Sequence, residues 1–290
     1  MRPTIATPFL AVLLFALAPA TARTAAQVEP PVRDDEPVPV EEPVEDDDAG
    51  PTEEEVERAV AELERALEGD AFDEKVAAIE AVRTVHHENV VEAIVEAFDD
   101  DALEVRVAAA KALGSMPLEN ALDALHQRAK KKKTMEPEEL AVATLNAIAM
   151  HGDPSSVRIL EDDVIGAPPL VARARILGLG RIRHEDALEA LVGIMNKLRV
   201  GRRGDGHTNM TEVRIALHVL TGIDQGADRR DWQRWWNDNK RDFEVPAQVP
   251  ELDRKLGRQW RQYWGEHEGR RGDEDGEEPE DDEEPTDEPG

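Results

Sequence analysis

Residues 104–116 place Val105, Ala108, Ala109, Ala112 and Leu113 at the i, i+3, i+4, i+7, i+8 spacing of one buried helix face. Arg106 and Lys111 fall outside that stripe. Alanines on the stripe let a neighbouring helix approach closely, and Gly114 is expected to take positive φ just past the helical run. The same apolar phrase returns at 73–85, 138–150, 169–182 and 212–222. Aligned at the corner positions Arg83, Gly114, Ala149, Gly180 and Gly222, the phrases are 31, 35, 31 and 42 residues apart. The first four are followed by a turn and a second amphipathic run, at 88–98, 118–130, 155–164 and 186–198, so each unit is predicted to be a helical hairpin.

An earlier helix is expected from Pro51 onward. Thr52 with Glu55 three residues later makes a capping box, and Val56, Val60, Leu63 and Leu67 form its apolar seam. Its other face is almost entirely Glu and Arg, which suits the polar cap at one end of a stack.

The run from Asp101 through Val105-Arg106 and the alanines to Leu113-Gly114 resembles the HEAT-repeat phrase: an acid-bearing turn, Val-Arg, alanines, then Leu-Gly. Val213-Arg214, Leu177-Gly178 and Leu179-Gly180 echo it, while the first and third units keep the period and lose the glycine. The resemblance covers about residues 70–225. It implies an all-α protein, an armadillo-like right-handed α-solenoid of about five HEAT-type hairpins, with second helices lining the concave face.

All five tryptophans follow the last phrase. Trp232, Trp235 and Trp236 fall on one predicted helix, and Trp260 and Trp264 on another with Leu252, Leu256 and Tyr263. The run Leu220-Thr221-Gly222 to Asp228, followed by Trp232-x-x-Trp235-Trp236, is similar to the endings of exported bacterial HEAT-repeat proteins. The helical spacing of the rings favours a C-terminal cap over the apolar end of the stack. The competing expectation is a binding platform for a glycan or peptide, formed by Trp232, Trp235, Trp236, Trp260 and Trp264.

Composition sharpens this picture at the ends. Residues 1–22, with Arg2, an apolar run from Phe9 to Ala18 and small residues near Ala20 and Ala22, read as a signal peptide, so an exported, periplasmic or secreted protein is expected. Residues 23–50 alternate acids, valine and proline and are expected to be a disordered linker; 51–268 hold the solenoid and its cap; 269–290 form a disordered acidic tail. The net charge of −29 argues against a nucleic-acid partner. Ten acids against Arg33 at 28–50, and twelve acids with no base at 272–290, carry most of that charge. No segment after the signal peptide is apolar enough to span a membrane.

Candidate chemistry is sparse. The chain has no cysteine, which removes disulfides, thiolate metal sites and cysteine nucleophiles. His87-Glu88 and His184-Glu185 lie 97 residues apart, each just before a second helix. These dyads resemble those with which the HEAT-like deoxyhypusine hydroxylases hold two irons, and they make a di-iron enzyme the least favoured reading. That family uses four dyads, and the further His267-Glu268 falls beyond the repeats. Exposed residues at helix starts are the simpler account. Bilin lyases share HEAT-like repeats, but nothing here resembles a bilin site.

The glycine-rich run 200–207 lacks the Gly-Lys-Ser/Thr ending of a phosphate loop. Asp224 to Asp228 lacks the core of a calcium loop, which leaves Asp228 as a helix cap. Lys130 to Lys133 lengthens the second hairpin, and Asn209-Met210-Thr211 matches a glycosylation acceptor. With no catalytic set in view, the chain is expected to be a monomeric, non-enzymatic scaffold for an unknown protein partner, without cofactor or metal.

Overall fold

The computed structural model describes residues 50–198 and 209–265. The expected signal peptide, the acidic linker up to residue 49, the glycine-rich run, His267-Glu268 and the acidic tail all lie outside those residues. The described residues contain thirteen α-helices and no strand. In chain order these are α1 (Glu53–Leu67), α2 (Phe72–Val82), α3 (Glu88–Glu96), α4 (Leu103–Ser115), α5 (Glu119–Ala129) and α6 (Lys132–Met135). Then come α7 (Glu138–His151), α8 (Val157–Glu161), α9 (Pro169–Leu179), α10 (Glu185–Lys197), α11 (Met210–Thr221), α12 (Arg229–Asn239) and α13 (Arg254–Trp264).

The helices stack in two rows, in the manner of an α-solenoid. One row is α2, α4, α7, α9 and α11, each packed on the next. The second row begins with α1 against α3 and α3 against α5, and resumes with α8 against α10 and α10 against α12. α1 starts as its capping box requires: the Glu55 amide donates to Thr52 Oγ1 at 3.3 Å, and the Thr52 amide donates to Glu55 Oε2 at 2.8 Å. The lysine run is not a plain loop, because Lys132–Met135 form the short helix α6, which packs against α7.

The first row is buried on more than one face. In α4, Val107 and Ala110 are buried along with the expected Val105, Ala108, Ala109, Ala112 and Leu113. The wider apolar belt follows from having α2 on one flank, α7 on the other and α5 against a third side. Second-row helices such as α3 and α10 keep a charged outer face and bury only an inner stripe.

From α4 onward, neighbours within the first row touch through a glycine and an alanine. A Cβ built on Gly114 would sit 2.7 Å from the Cα and Cβ of Ala147; one on Gly178 would lie 3.1 Å from Ala149 Cβ; one on Gly180 would lie 3.0 Å from Ala216 Cβ. This corrects the expectation for Gly114, which lies inside α4 in helical conformation and serves close approach. Positive φ is found instead at Gly152 (65°) and Gly222 (72°), which end α7 and α11. The third corner also shifts. Ala149 lies inside α7, and the helix ends three residues later at Gly152.

Beyond α11 the chain takes two courses. α12 continues the second row by packing on α10, with Asn196 of α10 donating to Gln233 of α12. The link to α13 is then held by Arg183, whose Nε and Nη2 donate to the Pro246 carbonyl at 2.8 and 2.6 Å. Its Nη2 and Nη1 also reach the carbonyls of Gln248 (2.9 Å) and Val219 (2.7 Å). α13 lies across α11 and α9, where Leu256 and Trp260 join Leu177, Ile215 and Val219 in an apolar cluster separate from the main core.

Candidate functional site

A groove of about 490 Å³ opens between α8 and α10 on the second row. Ala190, Gly193, Ile194 and Val157 contribute its apolar part, and Arg158, Lys197, Glu161, Asp186 and Glu189 ring it with charges of both signs. A helix-interior glycine is disfavoured relative to alanine, so it calls for a local reason. At Gly114 the reason is a neighbouring backbone. At Gly193 a Cβ would meet no atom of the described residues within 4 Å, so packing among them gives none. The bare backbone of α10 faces the groove and leaves room for an incoming chain to approach it.

The five tryptophans fall into two groups on different helices. In the first, Trp232 is fully buried, its ring 5.8 Å from Trp235, and its Nε1 donates to the Gly226 carbonyl at 3.0 Å. Trp236 is buried and Trp235 half-buried against Phe243, with centroids 5.1 Å apart. In the second, Trp260 is buried and the ring of half-buried Trp264 lies 5.6 Å from it. Arg181 sits 4.6 Å over the Trp264 ring, and Arg173 sits 4.9 Å over that of Tyr263, whose hydroxyl donates to Asn146 Oδ1 of α7 at 2.8 Å. Burial raises the Tyr263 pKa. Of these five residues, Trp235 and Trp264 keep the largest share of their surface open to solvent.

Both histidines of the His-Glu dyads cap helices. His87 Nδ1 accepts from the Asn89 amide at 3.2 Å at the start of α3, and His184 Nδ1 accepts from the Asp186 amide at 3.2 Å at the start of α10. In each ring one nitrogen lone pair is thereby committed to the backbone. Among the described residues no group of three or more histidines and acids is arranged to hold a metal. The Asp224–Asp228 segment is a structural turn. Arg214 Nε donates to Asp224 Oδ1 at 2.8 Å and Nη2 to Oδ2, and this pairing lowers the Asp224 carboxyl to about 2. Asp228 caps α12 by accepting from the Arg230 amide at 2.8 Å.

A polar junction that the pattern of apolar positions did not signal joins α5 to the turn before α8. His126 Nε2 lies 2.8 Å from Ser156 Oγ, which is fully buried, and His151 Nε2 lies 3.1 Å from the Leu113 carbonyl. Burial lowers both imidazole pKa values, with Asp123 and Asp153 opposing the shift at His126 and Asp153 opposing it at His151. The buried hydroxyl makes this a structural contact. Beside it Arg128 is buried across Phe98, donating to Asp99 Oδ2 at 3.0 Å and to the Val95 carbonyl at 2.9 Å.

The family model for HEAT repeats matches residues 60–145, from within α1 to within α7. No curated protein matches the chain. Among the described residues no helix is long and apolar enough to cross a membrane.

Proposed function

We propose that this chain is an exported, non-enzymatic scaffold that holds a protein partner along its second row of helices, with the α8/α10 groove as the centre of the contact. In this reading α2/α3, α4/α5, α7/α8, α9/α10 and α11/α12 are five HEAT-type hairpins of a right-handed solenoid, and the second row is its concave side. The single observation that carries the reading is Gly193, a helix-interior glycine whose open side faces a groove rather than a neighbour. The mixed charges around it suit a polypeptide segment bearing both signs, and the net charge of −29 disfavours nucleic acid. Export rests on the pattern of residues 1–22.

The test is site-specific photo-crosslinking in the exported fraction. A photoreactive residue at Gly193 should give a discrete adduct with one protein, and one at Lys111, exposed on α4 of the first row, should give none. Adducts from Lys111 alone, or equally from both positions, would overturn the assignment of the binding side.

A further inference from the structure

The solvent side of α13 is a concentrated cationic surface on a chain whose net charge is −29. α13 carries Arg254, Lys255, Arg258 and Arg261 and no acid. Arg254, Lys255 and Arg258 are exposed and lie at the i, i+3 and i+4 spacings that make them neighbours on one face, while Leu256 and Trp260 hold the opposite face against α9 and α11. At the far end of the helix Arg181 stacks on Trp264, and Arg173, paired with Glu212 at 3.6 Å, stacks on Tyr263. Arg254 and Arg258 are like charges one turn apart, which is unfavourable on its own, and the acid at the N-cap, Asp253, is engaged as the helix cap, accepting from the Lys255 and Leu256 amides at 3.0 and 3.2 Å.

The countercharge is close by in sequence. Residues 272–290 contain twelve acids and no base, and α13 ends at Trp264, followed by Gly265 with a φ of 70° that turns the chain. From there to Gly272 the chain reaches roughly 23 Å at full extension, whereas the eleven residues of α13 span roughly 16 Å. The acids therefore reach the whole helix, at the millimolar effective concentration typical of a short tether. The lysine run is a poorer receptor, because Lys133 pairs with Asp99, and Lys132 pairs with Glu136 at 3.1 Å.

We infer that the polyacidic segment 272–290 docks in cis on the basic face of α13. Docked there, the segment neutralises the like charges of the helix and keeps that surface from other polyanions. The contact is solvent-exposed, so salt weakens it.

Zero-length carbodiimide cross-linking of the full chain, which joins carboxylates directly to amines, reads this contact at Lys255, the one lysine of α13. At low ionic strength, Lys255 should be joined to acids between Asp273 and Glu288. The product should fall at least tenfold in about 1 M salt, where the screening length is about 3 Å. It should fall similarly in the Arg254→Glu/Arg258→Glu chain, whose changed side chains are exposed. A 1:1 mixture of isotopically light and heavy chains should give Lys255 products of unmixed label. Tail products confined to Lys130–Lys133, products of mixed label, a yield unmoved by salt, or no tail product at all would each overturn the docking.

Discussion

α4 and α9 are both first-row helices that meet a neighbour through glycine and alanine, yet α9 adds a covering of large rings. α4 meets α7 through Gly114 and Ala147, so close that a single added carbon would lie 2.7 Å from the neighbouring backbone. α9 meets α11 through Gly180 and Ala216 in the same manner and, in addition, lies beneath the large rings of α13, with Trp260 Cζ3 3.1 Å from where a Cβ on Gly180 would sit. A helix flanked by its own kind can be covered by small residues, because each repeat supplies the next with matching surface. Toward the end of the row that supply stops, and side chains of 150–250 Å² each do the covering. The HEAT-repeat match covers residues 60–145 and stops within α7, before the aromatic end.

The largest expected effect comes from removing the ring that covers α9 and α11. Trp260→Ala should destabilise the fold by ~3–5 kcal/mol, since Trp260 is 4% exposed and anchors the separate apolar cluster. Denaturant unfolding measures the loss. Hydrogen exchange should show α11 and α13 losing protection before α4 does. A uniform loss across the chain would erase the distinction between the two coverings.

A smaller effect is expected from pH at the α5–α8 junction. His126 and His151 resist protonation in the folded chain because they are buried, whereas in the unfolded chain they titrate near 6.5. Their contribution is thus fully present above that value and declines as pH falls through it, because the unfolded state then binds more protons. The melting temperature should drop between about pH 7.5 and 5.5, and His126→Gln/His151→Gln should flatten that drop. An unchanged slope in the double variant would place the pH dependence elsewhere. The paired carboxylates, Asp224 at about 2 among them, hold their contributions to much lower pH.

The helical period was legible in the sequence because alanine and leucine recur at fixed spacing, and Thr52 with Glu55 marked the start of α1. The role of the glycines was not, because period alone does not distinguish a glycine that turns the chain from one that admits a neighbour. The third repeat shows why its Ala-Leu-Gly corner was blurred. Ala147 faces Gly114 and Ala149 faces Gly178, so α7 meets glycines on both flanks and needs none of its own at those contacts. Likewise the five tryptophans, adjacent in sequence, divide between α12 on the second row and α13 across the first, a separation that depends on long-range contacts such as Tyr263 with Asn146. The α8/α10 groove arises from two stretches at least 25 residues apart, Glu161 and Asp186 being the nearest across it, and its one local sign was a glycine inside an otherwise regular helical run.

The first row is closed by its own packing, and the second row is left open at Gly193. Thermal unfolding of Gly114→Ala beside Gly193→Ala tests that division directly. The two variants should shift in opposite directions: Gly114→Ala costs ~1–3 kcal/mol, because its Cβ meets Ala147, whereas Gly193→Ala gains up to ~1 kcal/mol of helix propensity in open space. Shifts of the same sign in both variants would contradict that division.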